Sequence, residues 1–186
     1  RLRENLRAAG VDDACVATDA TSGSGMSVAI LEASGEYGAV IVSGANLAID
    51  PAAITRGWAA LWHSAVLLLQ NEVPEAVNRA AAKAAREQGC RVILNAAPAR
   101  PTVPALLDVV DILVVNRVEA AVLSGLPVGT RAETEAAARA LQHPGRDLII
   151  TMGREGLLLA DRAGALLHQP AFPARQISSH GAGDCF

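Results

Sequence analysis

The residues most able to do chemistry are the sequence Gly-Ala-Gly-Asp at positions 181–184. Small residues leave their backbone N–H groups open to a ligand, and free N–H groups at a helix start carry partial positive charge. A helix that begins here would bind an anion and hold Asp184 beside it as a base. The preceding His180 could also be a base by its pKa. No Ser or Cys nucleophile can be paired with His180 from the sequence, so Asp184 is the better candidate.

Polar residues also follow four short apolar runs, at 65–69, 91–94, 112–115 and 148–150. Such runs, rich in Val, Ile and Leu, are typical of strands buried on both faces of a parallel sheet. The residues that follow them are Gln70, Asn71, Glu72, Asn95, Asn116 and Thr151. Each alone could simply cap a helix or end a strand. Together they favour a ligand site, because ligands of open α/β sheets bind at the carboxyl ends of the strands.

Asn116 and Glu119 allow two readings that can hold together. A carboxylate one helical turn after a strand end could hold Mg²⁺ through water, since that ion keeps much of its hydration shell. The same pair could instead form a capping box, with Asn116 as the N-cap and Glu119 at the third helical position.

The segment 151–156, Thr-Met-Gly-Arg-Glu-Gly, lacks the Gly-Lys-Ser/Thr of a Walker A loop, so the sequence contains no P-loop of that type. Gly153 and Gly156 could serve only to shape the turn into the next strand. Binding of a nucleotide phosphate is the alternative.

The elements that must position these residues alternate between strands and helices. Ala-rich helices are predicted at 74–88, 116–124 and 131–142, each bounded by Pro or Gly. This alternation predicts an α/β fold with a doubly wound, mainly parallel sheet flanked by helices. Residues 14–18, 26–32 and 38–43 are β-like without helices between them, which predicts a small antiparallel sheet or lid. A hairpin is predicted from 157–160 and 165–168.

Composition narrows the class of protein further. Of the 186 residues 51% are hydrophobic and only 3% aromatic, so the core must be aliphatic, and one domain is expected. A net charge of −3 without a basic stripe argues against nucleic acid as a partner. No apolar run approaches the roughly 20 residues that span a bilayer. Three scattered cysteines are typical of free thiols in a reducing cytoplasm.

Six blocks in order now carry a resemblance to a known family. They are 43–46 (Ser-Gly-Ala-Asn), 69–72 (Leu-Gln-Asn-Glu), 95–100 (Asn-Ala-Ala-Pro-Ala-Arg), 110–120 with Asn116-x-x-Glu119, 150–156, and 181–184. Over essentially its whole length the chain resembles the ribokinase (PfkB) family of carbohydrate kinases.

The resemblance implies a ribokinase-like fold and transfer of the γ-phosphoryl group of ATP to a sugar hydroxyl, with a sugar and ATP as small-molecule partners and Mg²⁺ as cofactor. Asp184 would be the general base, and the backbone of Gly181, Ala182 and Gly183 would form the anion hole. The other residues it implies are Asn116, Thr151, Gly153 and Gly156 for the nucleotide, Glu119 for the metal, and Glu72, Ser27 and Ala29 for the sugar. The lid would close over the sugar and often makes a homodimer interface.

The sequence departs from the family pattern in two ways, and each leads to an expectation. Ser178-Ser179 stand where the family usually has Asp-Thr. That Asp helps form a monovalent-cation site, so we expect activity to be indifferent to K⁺. Family segments upstream and downstream are not in the sequence, so residues 1–186 are expected to be a partial kinase domain, with a lid within about 20–43 and an α/β core over 44–186. Alone it would be inactive or poorly folded.

Several functions remain open within this resemblance. Fructokinase, 2-keto-3-deoxygluconate kinase and nucleoside kinase activities are alternatives to ribokinase-like activity. A catalytically silent sugar- or nucleotide-binding relative on the same fold is a further one. A cytoplasmic location is expected for any of them.

Overall fold

The computed structural model describes residues 1–31, 37–174, Gly183 and Phe186. Within these residues the chain forms a two-stranded sheet, a six-stranded sheet and six α-helices. The strands are β1 (Met26–Leu31), β2 (Tyr37–Val42), β3 (Val66–Gln70), β4 (Arg91–Asn95), β5 (Ile112–Asn116), β6 (Asp147–Thr151), β7 (Leu157–Ala160) and β8 (Leu166–Gln169). The helices are α1 (Leu2–Ala8), α2 (Pro51–Gly57), α3 (Glu75–Glu87), α4 (Pro104–Leu107), α5 (Arg117–Ser124) and α6 (Arg131–Leu141). Short 3₁₀ helices cover Gly44–Ala48, Ala59–His63 and Gly153–Glu155.

The large sheet follows the order of the chain. Strands β3 to β6 are neighbours in sequence order and run parallel, and β7 and β8 add an antiparallel hairpin at the β6 side. Helices cross between the parallel strands, because a parallel pair needs a long connection. The predicted α/β class, mainly parallel sheet and 157–168 hairpin are therefore confirmed.

The core lies against one face of this sheet. Alternate residues of β4, β5 and β6 are fully buried, and their neighbours along each strand are half-buried. The strands were predicted to be buried on both faces of the sheet. Among the described residues one face is fully buried and the other only partly. Nearly all of the buried apolar side chains are Ala, Val, Leu and Ile, as the low aromatic content requires; Trp62 is the aromatic member.

Helices α3, α5 and α6 form where the sequence predicts them. In α3 the buried residues Val77, Ala81, Ala82 and Ala85 recur at helical spacing, so one stripe faces the sheet. Both α5 and α6 begin with a capping box. Among the described residues the helices are too short or too polar to cross a membrane.

The lid is confirmed as an antiparallel pair of β1 and β2, with Ser27 opposite Ile41. The predicted β segment at 14–18 is wrong, because local hydrogen bonds fold it into a turn. The Ala14 N–H donates to Asp12 Oδ1 at 2.9 Å, and the Val16 N–H donates to the Asp13 carbonyl at 3.0 Å. Asp13 is in turn held by Arg3 (2.5 Å) and Arg7 (2.9 Å) of α1.

Candidate active site

The polar strand ends lie along one edge of the sheet. In the parallel register Gln70 is opposite Asn95, and Asn116 is opposite Thr151. Adjacent strands lie about 4.8 Å apart, so the edge extends about 14 Å from β3 to β6. The sequence-predicted cluster is therefore a row along this edge, and a ligand in contact with both ends of it must be elongated.

A cavity of about 170 Å³ lies at the β3 end of this row, beneath the lid. Ser27 on β1 and Glu72, just after β3, both line it, so the structure brings together two of the three predicted sugar-binding residues. Its other lining residues are Gly25, Met26, Ile41, Val42 and Asn46. One carboxylate, one hydroxyl and one amide facing a small space are the groups that hydrogen-bond a polyhydroxy ligand. The backbone of Ala29 pairs with that of Ala39 in the lid, and its predicted contact with the sugar stays a prediction.

Asn46 reaches this cavity through a tight turn at the base of the lid. Gly44 has φ +50°, and a Cβ at this position would lie 2.4 Å from the Gly23 carbonyl oxygen. The Ala45 N–H donates to the same oxygen at 2.9 Å. Only glycine fits such a close approach in the left-handed region. The sequence reasoning did not name Asn46 as a site residue, although the block Ser-Gly-Ala-Asn at 43–46 contained its signal.

Asn71 bonds the backbone that follows β4. Its side chain is buried, and its Nδ2 donates to the carbonyls of Ala96 (2.9 Å) and Pro98 (3.2 Å). Nearby, the buried Asn78 donates from Nδ2 to the Gln70 carbonyl at 2.7 Å. These bonds satisfy backbone groups where β3 and β4 end, and so they fix the segment that carries Glu72.

At the next strand end Asn116 and Glu119 form the predicted capping box. The Glu119 N–H donates to Asn116 Oδ1 at 2.9 Å, while the Glu119 carboxylate accepts from the Asn116 backbone N–H at 2.7 Å and from its Nδ2 at 2.9 Å. Glu119 is only 5% exposed. Burial raises the pKa of the Glu119 carboxyl, and the two hydrogen bonds from Asn116 oppose that rise.

The donor set here fits a magnesium ion held through water. Within the described residues no group of three or more His, Cys, Asp or Glu could enclose a metal. A single carboxylate at the edge of the sheet matches the way Mg²⁺ binds, by one or two carboxylates together with waters and substrate phosphates. Each Glu119 oxygen accepts one bond inside the box, so a lone pair on each is left for a bound water.

A second cavity, of about 390 Å³, lies at the β6 end of the row. Thr151, Gly153 and Gly156 line it, which brings together three of the four predicted nucleotide-binding residues. The fourth, Asn116, is the neighbour of Thr151 in the ladder. The remaining lining residues are Leu157, Gln169, Pro170, Ala171, Phe172, Gly183 and Phe186. Glycine backbone beside apolar and aromatic side chains suits a ligand with a phosphate group and a flat ring.

The wall of this second cavity depends on Gly156. Its φ is +93°, and a Cβ would lie 2.0 Å from the Gln169 carbonyl oxygen. The Met152 N–H donates to the Gly156 carbonyl at 2.8 Å, which closes the loop of residues 152–156. This loop, named here the glycine loop, therefore packs directly on the end of β8 and the residues that follow it.

Of the motif at 181–184 only Gly183 lies within the described residues, and it lines the second cavity. Gly181, Ala182 and Asp184 lie outside them, as do His180, Ser178 and Ser179. Their predicted roles stay predictions.

Comparison with known proteins agrees with this geometry. A family model described as "pfkB family carbohydrate kinase" matches residues 1–186. The chain is 32% identical over 184 residues to the deoxyribokinase of Salmonella typhimurium, covering 98% of this chain and 60% of that protein. It is 30% identical over 178 residues to the ribokinase of Haemophilus influenzae, covering 95% of this chain and 58% of the relative.

Among solved structures, Arabidopsis thaliana ribokinase complexed with ribose and ATP superposes with a TM-score of 0.79 at 28% identity. That match covers 96% of this chain and 60% of the Arabidopsis chain. This chain thus spans about 60% of the length of the relatives it matches.

Proposed function

Because this chain belongs to the pfkB family of carbohydrate kinases, we propose that the protein containing it transfers the γ-phosphoryl group of ATP to a sugar hydroxyl. The observation that carries the proposal is the pair of cavities along one sheet edge. The cavity under the lid offers Ser27, Asn46 and Glu72, and the cavity at β6 offers the glycine loop and Gly183. A sugar in the first and ATP in the second would meet along the row of polar strand ends.

Within this proposal the sugar is held by polar contacts from two directions. Glu72 would accept hydrogen bonds from sugar hydroxyls at the end of β3, and Ser27 would contact the sugar from the lid. Ala29, on the same strand as Ser27, would pack against the sugar from the lid. Asn46 extends this set, because it lies on the same cavity and its amide both donates and accepts.

At the nucleotide end, backbone N–H groups would donate most of the hydrogen bonds to the phosphates. Thr151, Gly153 and Gly156 would line the channel for the phosphates, and Asn116 would hold the phosphates from the neighbouring strand. Mg²⁺, held through water by Glu119, would neutralise charge on the phosphates.

At the motif of residues 181–184, Asp184 would take the proton from the attacking sugar hydroxyl. The N–H groups of Gly181, Ala182 and Gly183 would stabilise charge on the transferred phosphoryl group. The lid would exclude water, which would otherwise accept the phosphoryl group.

A pentose is the proposed substrate, with ribose and 2-deoxyribose the first choices. The two curated relatives described above, at 32% and 30% identity, are a deoxyribokinase and a ribokinase.

The experiment is a panel of pentoses, hexoses, 2-keto-3-deoxygluconate and nucleosides with ATP and Mg²⁺, monitored by ADP release from the full-length protein. We expect the highest kcat/KM with ribose or 2-deoxyribose, and the same rate with and without K⁺. Sugar binding without ADP release from any acceptor would instead identify a silent binding protein.

In the same assay Asp184→Asn should lower turnover by about 10³-fold or more while sugar binding persists, because the base is lost and the cavity is kept. Asp161→Asn is the matched control, since Asp161 lies in the turn between β7 and β8 and binds backbone N–H groups there. Near-normal turnover of Asp184→Asn would exclude that residue as the base.

We also propose a homodimer formed through the lid. Apolar side chains on β1 and β2 are about half exposed, among them Met26, Val28, Ile30, Val40 and Val42. An exposed apolar strand pair of this kind is typical of an interface, since isolated hairpins are marginally stable in water.

A further inference from the structure

One ion pair joins the two segments that would hold the nucleotide. Arg117, the first residue of α5, donates from Nη1 to Glu155 Oε1 of the glycine loop at 2.8 Å. Arg117 directly follows Asn116, and Glu155 lies between Gly153 and Gly156. The pair therefore connects the capping box of α5 to the wall of the second cavity.

The two partners differ in burial. The Arg117 side chain is 26% exposed, and its Nε and Nη2 are buried with no hydrogen-bond acceptor among the described residues. The Glu155 side chain is 53% exposed, so water can solvate it without Arg117. Loss of Glu155 would leave a largely buried cation unpaired, whereas loss of Arg117 would not leave a buried charge.

Glu155 connects the glycine loop to two neighbouring elements. The His168 ring bonds the Glu155 carbonyl at 2.8 Å and links the loop to β8. Within the loop, the Met152 N–H donates to the Gly156 carbonyl at 2.8 Å and the Glu155 N–H donates to the Met152 carbonyl at 3.2 Å. Arg117 is the link on the α5 side. In agreement, the Arg117 hydrogen bond lowers the pKa of the Glu155 carboxyl.

We propose that Arg117 is a positioning residue for the nucleotide, which acts through Glu155 to fix the glycine loop against the start of α5. This inference rests on the proposed kinase function and adds to it a residue outside the predicted site. A loop fixed in advance loses less conformational entropy when ATP binds. Arg117 should therefore act on the affinity for ATP and leave the sugar cavity, at the other end of the row, unaffected.

The test is a set of variants of the full-length protein: Arg117→Met, Arg117→Lys, Glu155→Gln and the double exchange Arg117→Glu with Glu155→Arg. We expect Arg117→Met to raise the KM for ATP by about tenfold, within the usual range for coupled pairs, with the KM for the sugar unchanged. Arg117→Lys should recover part of this loss, and the double exchange should recover more than either of its single reversals. Glu155→Gln should lower the unfolding midpoint in urea more than Arg117→Met.

Arg131→Met is the matched control, because Arg131 forms a 3.0 Å pair with Glu135 that lies within α6 and connects no two segments. It should leave both KM values unchanged. If the wild type is active and Arg117→Met has an unchanged KM for ATP, the inference about Arg117 is overturned and the proposed kinase function is not. A wild type that phosphorylates no acceptor would overturn the proposed function. In that case titration of the same variants with ATP by calorimetry still tests the inference, and equal affinities would overturn it.

Discussion

The two capping boxes of this chain allow a test of what burial adds to an otherwise identical local motif. Glu119 in α5 and Glu133 in α6 each accept hydrogen bonds from the N-cap residue three positions earlier. Glu119 is 5% exposed at the sheet edge, whereas Glu133 lies at an exposed helix start and bonds the N–H groups of Gly129 and Thr130, both at 2.8 Å. We predict that Glu119→Ala is the more damaging substitution, both to stability and to the use of magnesium.

The expected loss in the free energy of unfolding follows from the hydrogen bonds that each substitution removes. Glu119→Ala removes two hydrogen bonds to a carboxylate, each worth about 1.5–3 kcal/mol. The gain from no longer burying that carboxylate offsets part of this, as the raised pKa of Glu119 indicates. A net loss of about 2–3 kcal/mol in the free energy of unfolding is expected. Glu133→Ala removes an exposed cap, where water replaces the lost acceptor, so its loss should be smaller.

The assay has two arms, both on the full-length protein. Urea unfolding at neutral pH measures stability, and titration of kinase activity with Mg²⁺ measures the metal requirement. Glu119→Ala should raise the Mg²⁺ concentration for half-maximal rate by about tenfold, and Glu133→Ala should not change it. Equal losses of stability in the two variants would refute the reasoning from burial. An unchanged Mg²⁺ requirement in Glu119→Ala would refute the assignment of Glu119 to the metal.

Three further predictions follow from other parts of the structure. Gly156→Ala should destabilise the protein and raise the KM for ATP, because its Cβ would lie 2.0 Å from the Gln169 carbonyl oxygen. Gly145→Ala is the control for backbone strain, since Gly145 has φ +83° but no atom within 4 Å of the added Cβ. Equal effects of the two substitutions would contradict the steric argument. The Arg162 guanidinium lowers the pKa of Asp147 from its ordinary value, so the stability that Asp147 contributes is full above the unfolded pKa and is lost as pH falls through the folded pKa. Urea unfolding of Asp147→Asn should therefore differ from wild type at neutral pH and converge with it in acid. Val40→Lys in the lid should shift the mass measured by light scattering from dimer to monomer, whereas Val118→Lys on the exposed face of α5 should leave it unchanged.

The strands of the sheet and the helices α3, α5 and α6 were predictable because their signals are local. Runs of Val, Ile and Leu followed by Asn or Thr mark β4, β5 and β6, and the capping box of Asn116 and Glu119 needs only four residues. The short helices α1 and α2, of seven residues each, were not predicted. Helices of that length depend on contacts outside their own residues, which for α1 are the ion pairs of Arg3 and Arg7 with Asp13 and for α2 the burial of Ile54. Residues 14–18 contain Val and Thr, yet the Asp12 and Asp13 hydrogen bonds that make them a turn outweigh β propensity.

In the candidate site, too, some features were predictable from the sequence and others depend on segments that pack together only in the fold. The row at the carboxyl edge follows from topology, because the ends of parallel strands must meet there. Ser27 and Glu72 line the same cavity, which was expected only from the family resemblance because no local sequence signal connects the lid with β3. Asn46 and the pair of Arg117 with Glu155 were missed, because each depends on two segments packing together. Asn71 was counted with the ligand-facing residues, and its burial against the carbonyls of Ala96 and Pro98 could be seen only in the structure.

The monotonic strand order has a consequence for how such a protein can diversify. Since β3, β4, β5 and β6 lie side by side in chain order, position along the chain maps onto position along the ligand. In the proposed assignment the residues that line the sugar cavity lie at or before Glu72 and those that line the nucleotide cavity lie beyond Asn116, with β4 and α4 between them and only the proposed base, Asp184, reaching the sugar from the later part. If the proposed assignment holds, recombination between β3 and β5 would exchange most of the sugar contacts as a block and keep the nucleotide contacts intact. On that assignment, chimaeras joined between β3 and β5 would differ in the sugar they accept and share the same affinity for ATP.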